Sequence, residues 1–381
     1  MIYLDYAADT PVSPTVMDAL TTALRNDNAN PNAAHALGAA AQEALVRATG
    51  AIAAALGVAP ETVVLTSGAT EANNMAILGA ARAYRGRGSH LITSPMEHAS
   101  VTGPMSALKA EGFSLDFVKV RADGQVDLEH LRSLLRQDTV LLSLCAVDSE
   151  VGVLQPIAQV RQLLEEFPNC HLHVDATQAV GKLPLTFSDV PLFTLSPHKF
   201  YGITGTGVLV VQGGLRLAPL WHGGTGATPY RSGTPALALT VAVQAALEEA
   251  QRELPKRLVL VRALNRRLRD ALAAVPFATL NSPEDASPYV LNFSVSGFRA
   301  QALLEQLSEA GVCVSSKSAC CAPAAPSHPV LAMTGDRRRA LNTVRVSLSH
   351  LTQDAEIDEF VTALMACAKR LEAEHGTKAA D

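Results

Sequence analysis

At 381 residues the chain exceeds what one compact core usually serves, so two domains are the expectation. Hydrophobic residues at 48% and charged residues at 18% describe a well-buried globular protein, and a formal net charge of −5 without a basic tail excludes nucleic acid or an anionic membrane as the main partner. Met1 to Asp5 carries no basic stretch leading into an apolar one, no apolar run reaches membrane-spanning length, and the six cysteines lack the spacing of a disulfide framework or zinc site, so a reducing cytoplasm is the expected compartment and no metal is expected.

In chain order, Tyr3 to Ala8 is a short extended entry, followed by a helix from about Pro14 to Arg25. The turn cluster Asn28 to Asn32 precedes a second helix, roughly Ala39 to Leu56, that stops at Gly57. Val63-Val64-Leu65 is a strand delivering Thr66-Ser67-Gly68-Ala69-Thr70-Glu71 to a helix, which reads either as an anion site at a helix N-terminus or as a plain cap by Ser67 or Thr70. His90 to Thr93 is a strand leading to Glu97-His98. A helix over Val101 to Glu111, strands over Ser114 to Val120 and Val140 to Val147, and a helix over Ile157 to Glu166 precede a strand that ends at Asp175. Alternating strands and helices with polar residues at the strand ends predict an α/β fold: a mostly parallel, doubly wound sheet with its ligand at the carboxyl edge.

The stretch Ser196-Pro197-His198-Lys199-Phe200-Tyr201-Gly202, downstream of a strand-ending acid, is the arrangement expected where pyridoxal phosphate (PLP) is bound covalently. Lys199 would supply the Schiff base and Asp175 the partner of the ring nitrogen. A strand at Gly205 to Val211 follows, then a glycine-rich loop and two helices, Pro235 to Leu254 and Lys256 to Ala273, parted at Pro255. Beyond lie strand Tyr289 to Val295, helix Ala300 to Ala310, strand Val312 to Val314, loop Ser315 to Pro329, strand Val344 to Leu348, helix Asp354 to Leu371 and a frayed tail from Glu372. The expected division is a large PLP-binding domain over 11–254 and a smaller α+β domain from 1–10 with 255–381.

Along essentially its whole length the chain resembles the cysteine desulfurases, within the class V aminotransferase group of fold-type-I PLP enzymes. The resemblance rests on Tyr3 to Ala8, Thr66 to Glu71, Glu97-His98, His173-Val174-Asp175-Ala176-Thr177-Gln178, Ser196 to Lys199, Arg231-Ser232-Gly233-Thr234 and Ser315-Ser316-Lys317-Ser318-Ala319-Cys320. It implies that Lys199 bonds the cofactor and moves protons at the substrate Cα, that His98 stacks on the ring and exchanges protons, and that Gln178 hydrogen-bonds the ring oxygen. Ala69, Thr70, Ser196 and His198 would hold the phosphate, joined by Thr234 of the other subunit of a homodimer. Arg345 would clamp the substrate carboxylate, with Asn30 as a further substrate contact. Cys320, on a long mobile loop running to Gly335, would take sulfur from L-cysteine as a persulfide, release L-alanine and pass the sulfur to an acceptor protein for iron–sulfur cluster or thio-cofactor synthesis.

The chain also departs from the family pattern. The usual His-x-Asn-Asn-Glu run stands as Ala146-Val147-Asp148-Ser149-Glu150, Lys317 replaces a common glycine, Asp9 a common threonine, and Cys321 adjoins Cys320. Competing readings are a cystine or selenocysteine lyase or an aminotransferase that does not need Cys320, and a weakly active paralogue that binds partners in sulfur trafficking.

Overall fold

The computed structural model describes residues 1–26, 29–224, 226, 228–317 and 325–378. In chain order the elements are β1 (Ile2–Tyr3), α1 (Pro14–Asn26), α2 (Ala36–Leu56), β2 (Val63–Thr66), α3 (Ala69–Ala83), β3 (His90–Thr93), α4 (Ala99–Ala110) and β4 (Ser114–Phe117). Then come α5 (Leu128–Leu134), β5 (Thr139–Cys145), α6 (Ile157–Leu164), β6 (His171–Asp175), β7 (Leu192–Leu195), β8 (Gly207–Val211) and α7 (Leu237–Ala273). The last part holds β9 (Ala278–Leu280), β10 (Val290–Val295), α8 (Ala300–Glu309), β11 (Val312–Cys313), α9 (His328–Thr334), α10 (Arg337–Leu341), β12 (Thr343–Ser347) and α11 (Asp354–Lys378).

The main sheet has the order β2-β8-β7-β6-β5-β3-β4. Pairs from β7 across to β4 are parallel, while β8 runs antiparallel to both β2 and β7. Every residue of β5 is buried, as expected of a parallel strand covered on both faces. Each Leu, Ile or Phe buried at this depth contributes about 1.5–3 kcal/mol of transfer free energy, so the sheet is a rigid base for whatever its carboxyl edge carries. That edge is where Cys145 ends β5, Asp175 ends β6 and Ser196 follows β7.

Two expectations need correction. Lys256 to Ala273 is not a separate helix: α7 runs unbroken through Pro255, packing on α1 and α2 and, further along, on α11 and β10. A mid-helix proline costs about 3 kcal/mol in isolation, but packing on the neighbouring elements and a side-chain pair within α7 that spans the proline hold this helix together. Arg257 Nη2 donates to Glu249 Oε1 at 2.5 Å, and Ser13 Oγ donates to Glu249 Oε2 at 2.6 Å. The tail is not frayed from Glu372 either, since α11 continues to Lys378.

The remaining strands form an antiparallel β12-β10-β9 sheet and a parallel β1-β11 pair, which brings the N-terminus against the last third of the chain. Among the described residues no helix is long and apolar enough to cross a membrane, and no cluster of side chains is suited to a metal.

Candidate active site

At the end of β2 the chain turns through Ser67 and Gly68 into α3, and among the described residues no side chain caps that helix. The plain-cap alternative therefore fails, and the first-turn N–H groups stay available for an anion. Glu71 Oε2 instead accepts from Ser67 N at 2.6 Å, and its Oε1 accepts from Arg231 Nε at 2.5 Å. The backbone of β8 passes tightly beneath the turn: a Cβ on Gly207 would lie 2.6 Å from Gly68 Cα.

Lys199 ends a single 3₁₀ turn, Pro197–Lys199, directly after β7. The turn is held from outside by the N-terminal segment. Thr10 Oγ1 donates to His198 O at 2.7 Å and accepts from Tyr201 N at 2.7 Å, while Lys199 Nζ donates to Ala8 O at 2.6 Å. Tyr201 itself sits at φ 73°, left-handed backbone that a bulky residue adopts only under tertiary constraint. Burial, then repulsion by Arg345, lowers the Lys199 pKa to about 8. A share of the amine is thus unprotonated and nucleophilic near neutrality.

Ser196 is fully buried, and its hydroxyl donates to Thr206 O at 3.0 Å. Its oxygen must then accept from His198 Nδ1 at 2.8 Å, which fixes the imidazole tautomer and leaves Nε2 as the other ring nitrogen. Burial, then repulsion by Lys199, lowers the His198 pKa to about 4.

Asp175 accepts from Asn73 Nδ2 at 2.8 Å and from Thr177 N at 3.0 Å. Asn73, fully buried on α3, is oriented by Thr194 Oγ1, which donates to its Oδ1 at 2.5 Å. The same Asn73 amide donates to Ser100 Oγ at 2.9 Å, and Ser100 Oγ bonds His98 Nδ1 at 2.8 Å. Since Ser100 N also donates to that Nδ1 at 3.1 Å, neutral His98 carries its proton on Nε2. Burial is the main cause lowering the His98 pKa.

From the other side, Arg345 is 2% exposed on β12. Its Nη2 pairs with Asp5 Oδ1 at 2.8 Å, its Nη1 donates to Ser149 O at 3.1 Å, and its Nε has no partner among the described residues. Asp148 does not face this space: its Oδ2 accepts from the N–H groups of Glu150, Val151 and Gly152. Lys317 does not point to solvent; it is buried, with Nζ donating to Ala325 O at 2.5 Å.

Together Ala69, Thr70, His98, Asp175, Gln178, His198, Lys199 and Arg345 line one cavity of about 380 Å³. Ser196 stands behind His198 instead of on the wall. Thr234 and Asn30 are exposed and lie outside the cavity, with Asn30 Oδ1 accepting from Asn32 N at 2.9 Å. Cys320 and Cys321 lie outside the described residues. The expected loop is interrupted, because α9 begins at His328 with Ser327 as its cap. The sequence reading missed Asn73, Ser100, Thr194 and Thr10; only Asn73 had a signal, lying one helical turn beyond the Ala69-Thr70 cradle and so on its face.

PLP needs an amine for its aldehyde, an acid for its ring nitrogen and an anion site for its phosphate. Lys199, Asp175 and the uncapped start of α3 supply all three on one wall, and Gly205, which also lines the cavity, leaves open space where a side chain would stand. The fold and this cavity define the class as fold-type-I, PLP-dependent enzymes. The class-V aminotransferase model matches residues 2–360. A cysteine desulfurase of Pongo abelii is 36% identical over 97% of this chain and 82% of its own length, and the cysteine desulfurase IscS of Dictyoglomus turgidum is 33% identical over 97% and 95%. A solved NifS-like protein superposes with a TM-score of 0.91 at 32% identity, covering 97% of this chain and all of its own. The chain belongs to the class-V aminotransferases and, within them, to the cysteine desulfurase family.

Proposed function

We propose that the protein converts L-cysteine to L-alanine and transfers the sulfur to Cys320 as a persulfide. The observation that carries this reading is the convergence of Lys199, Asp175, His98 and Arg345 on a single cavity. When bound, PLP supplies an electron sink for the substrate Cα. Arg345, whose Nε has no partner among the described residues, binds the substrate carboxylate and orients the amino acid. Lys199, with its lowered pKa, takes and returns the proton at Cα, and His98 Nε2–H serves as the second proton carrier. The Cys320 thiolate attacks the substrate sulfur, so that an S–S bond forms as the C–S bond breaks; the electron pair of that bond stays with Cβ, which gains a proton carried by His98 Nε2, and the three-carbon remainder leaves as alanine.

Ala7, Ala8 and Arg345 come from the smaller domain, 1–10 with 255–381, and the other lining residues from 11–254, so the substrate enters where the two meet. A homodimer fits a second groove of about 590 Å³, lined by Gly233 and Pro235 on either side of Thr234 and sharing Ser67 and Gly205 with the cavity. Delivery to a cytoplasmic acceptor for iron–sulfur cluster or thio-cofactor synthesis completes the reading.

With L-cysteine and a reductant, sulfide and alanine should appear in step; with L-cysteine alone, mass spectrometry should find one added sulfur on the peptide carrying Cys320 and Cys321. Cys320→Ser should abolish both sulfide release and the added mass. Sulfide release at the wild-type rate from that variant would sink the persulfide route.

A further inference from the structure

A buried cation that takes no part in this scheme stands immediately behind the cavity. Lys182 is 5% exposed, and its Nζ donates to Gln178 Oε1 at 2.8 Å. Its ammonium lies 5.8 Å from the centre of the Tyr289 ring, and no carboxylate among the described residues pairs with it. Burial, then repulsion by Lys199 and Arg345, lowers its pKa to about 7. A charge held at such cost needs a reason.

The reason lies in the polarity of the hydrogen bonds. An ammonium only donates and a carbonyl only accepts. Lys182 therefore requires the oxygen of the Gln178 amide to face it, and Ala7 O, at 3.0 Å, requires the nitrogen on the other side. The amide cannot flip without losing both bonds. One N–H of Nε2 goes to Ala7; the second remains for the cavity that Gln178 lines.

Resting on the PLP reading, we infer that Lys182 is a positioning residue, which fixes the Gln178 amide from behind so that a polarised N–H donor is presented to the cofactor's ring oxygen. That oxygen adjoins the carbon joined to Lys199, so a donor there stabilises its anionic form and makes the nearby nitrogen easier to deprotonate. In its protonated form, which is the main one below about pH 7, Lys182 strengthens the donor by withdrawing electron density from the amide oxygen.

The test uses PLP-loaded protein and the pH midpoint of its visible absorption change. Lys182→Met keeps an unbranched apolar stem of similar length and removes a charge whose burial opposes folding, so it should fold. Its midpoint should rise by about one pH unit, and Lys182→Arg, which keeps a cationic donor, should restore most of the shift. In a Gln178→Leu background the Lys182→Met shift should be clearly smaller, leaving only what the direct repulsion between Lys182 and the Lys199 nitrogen supplies. A Lys182→Met midpoint equal to wild type, or an equal shift with and without Gln178, overturns the assignment. A wild-type protein that forms no visible band with PLP overturns the cofactor reading instead, and the Lys182 role with it. Should Lys182→Met not fold, Lys182→Gln gives the same comparison with a neutral side chain.

Discussion

Asp148 shows at the scale of one side chain how little a sequence position reveals about direction. It stands where the family pattern has an asparagine, a place from which a carboxylate could bring negative charge close to the substrate, yet the carboxyl turns the other way and collects three backbone N–H groups on Oδ2. Oδ1 has no partner among the described residues, and burial, then repulsion by Glu150, raises the pKa from 3.8 to about 7. An acid raised in this way holds its proton in the folded protein after the unfolded chain has released it. Stability is therefore lost as pH rises from about 4 to about 7, and the full cost persists above that. Asparagine would keep an oxygen for the three donors without the charge. Asp148→Asn should stabilise the protein by about 2 kcal/mol at pH 8 and by much less at pH 4, with the melting temperature followed across pH as the measurement. A gain of equal size at both pH values would show that ionisation of Asp148 is not the cause.

Among the elements, strand ends carry the chemistry and glycines set how closely the backbones approach. Gly207 opens β8 directly under Gly68, where a Cβ would stand 2.6 Å from backbone and from Thr66 Oγ1. Gly207→Ala should displace the start of α3 and weaken PLP binding about ten- to hundredfold, the range that overpacking of 1–3 kcal/mol allows. Equilibrium titration of cofactor-free protein measures it, and an unchanged dissociation constant would remove the close approach from the account of the phosphate site. Such contacts are tertiary and leave little trace in sequence. What sequence did disclose was periodicity: the apolar runs of β5, β6, β10 and β12 and the glycine stop of α2 at Gly57 stand close to where they were expected. Leu192 to Leu195 was not recognised as a strand, because Pro191 and Ser196-Pro197 on either side read as loop, and α7 was divided because local propensity at Pro255 is overruled by the Glu249–Arg257 pair.

For the molecule as a whole, the site was legible as a set of residue types and illegible as a set of connections. Lys199, Asp175 and His98 stand out because their neighbours in sequence are distinctive, whereas Asn73 reaches Asp175 across 102 positions and Asp5 reaches Arg345 across 340. The second link has structural consequences beyond the cavity. Asp5 bridges β12 at Ser347, accepts from Ser315 Oγ at 2.7 Å and pairs with an Arg345 that is almost wholly buried, so one carboxylate joins the N-terminal strand, the small sheet and the substrate pocket. Removing one partner of a buried pair leaves the other charge without compensation, which costs about 3–5 kcal/mol, while deleting a single hydrogen bond to it costs about 1 kcal/mol. Asp5 is itself partly exposed, which moderates the larger figure, so Asp5→Ala should destabilise by about 3 kcal/mol and Ser315→Ala by about 1 kcal/mol. Thermal unfolding of the cofactor-free protein measures both without involving the reaction. Equal, small losses in the two variants would mean that Arg345 is held by its Ser149 contact and by packing, and that the N-terminal strand is only laid against the small sheet rather than fastened to it through the substrate site.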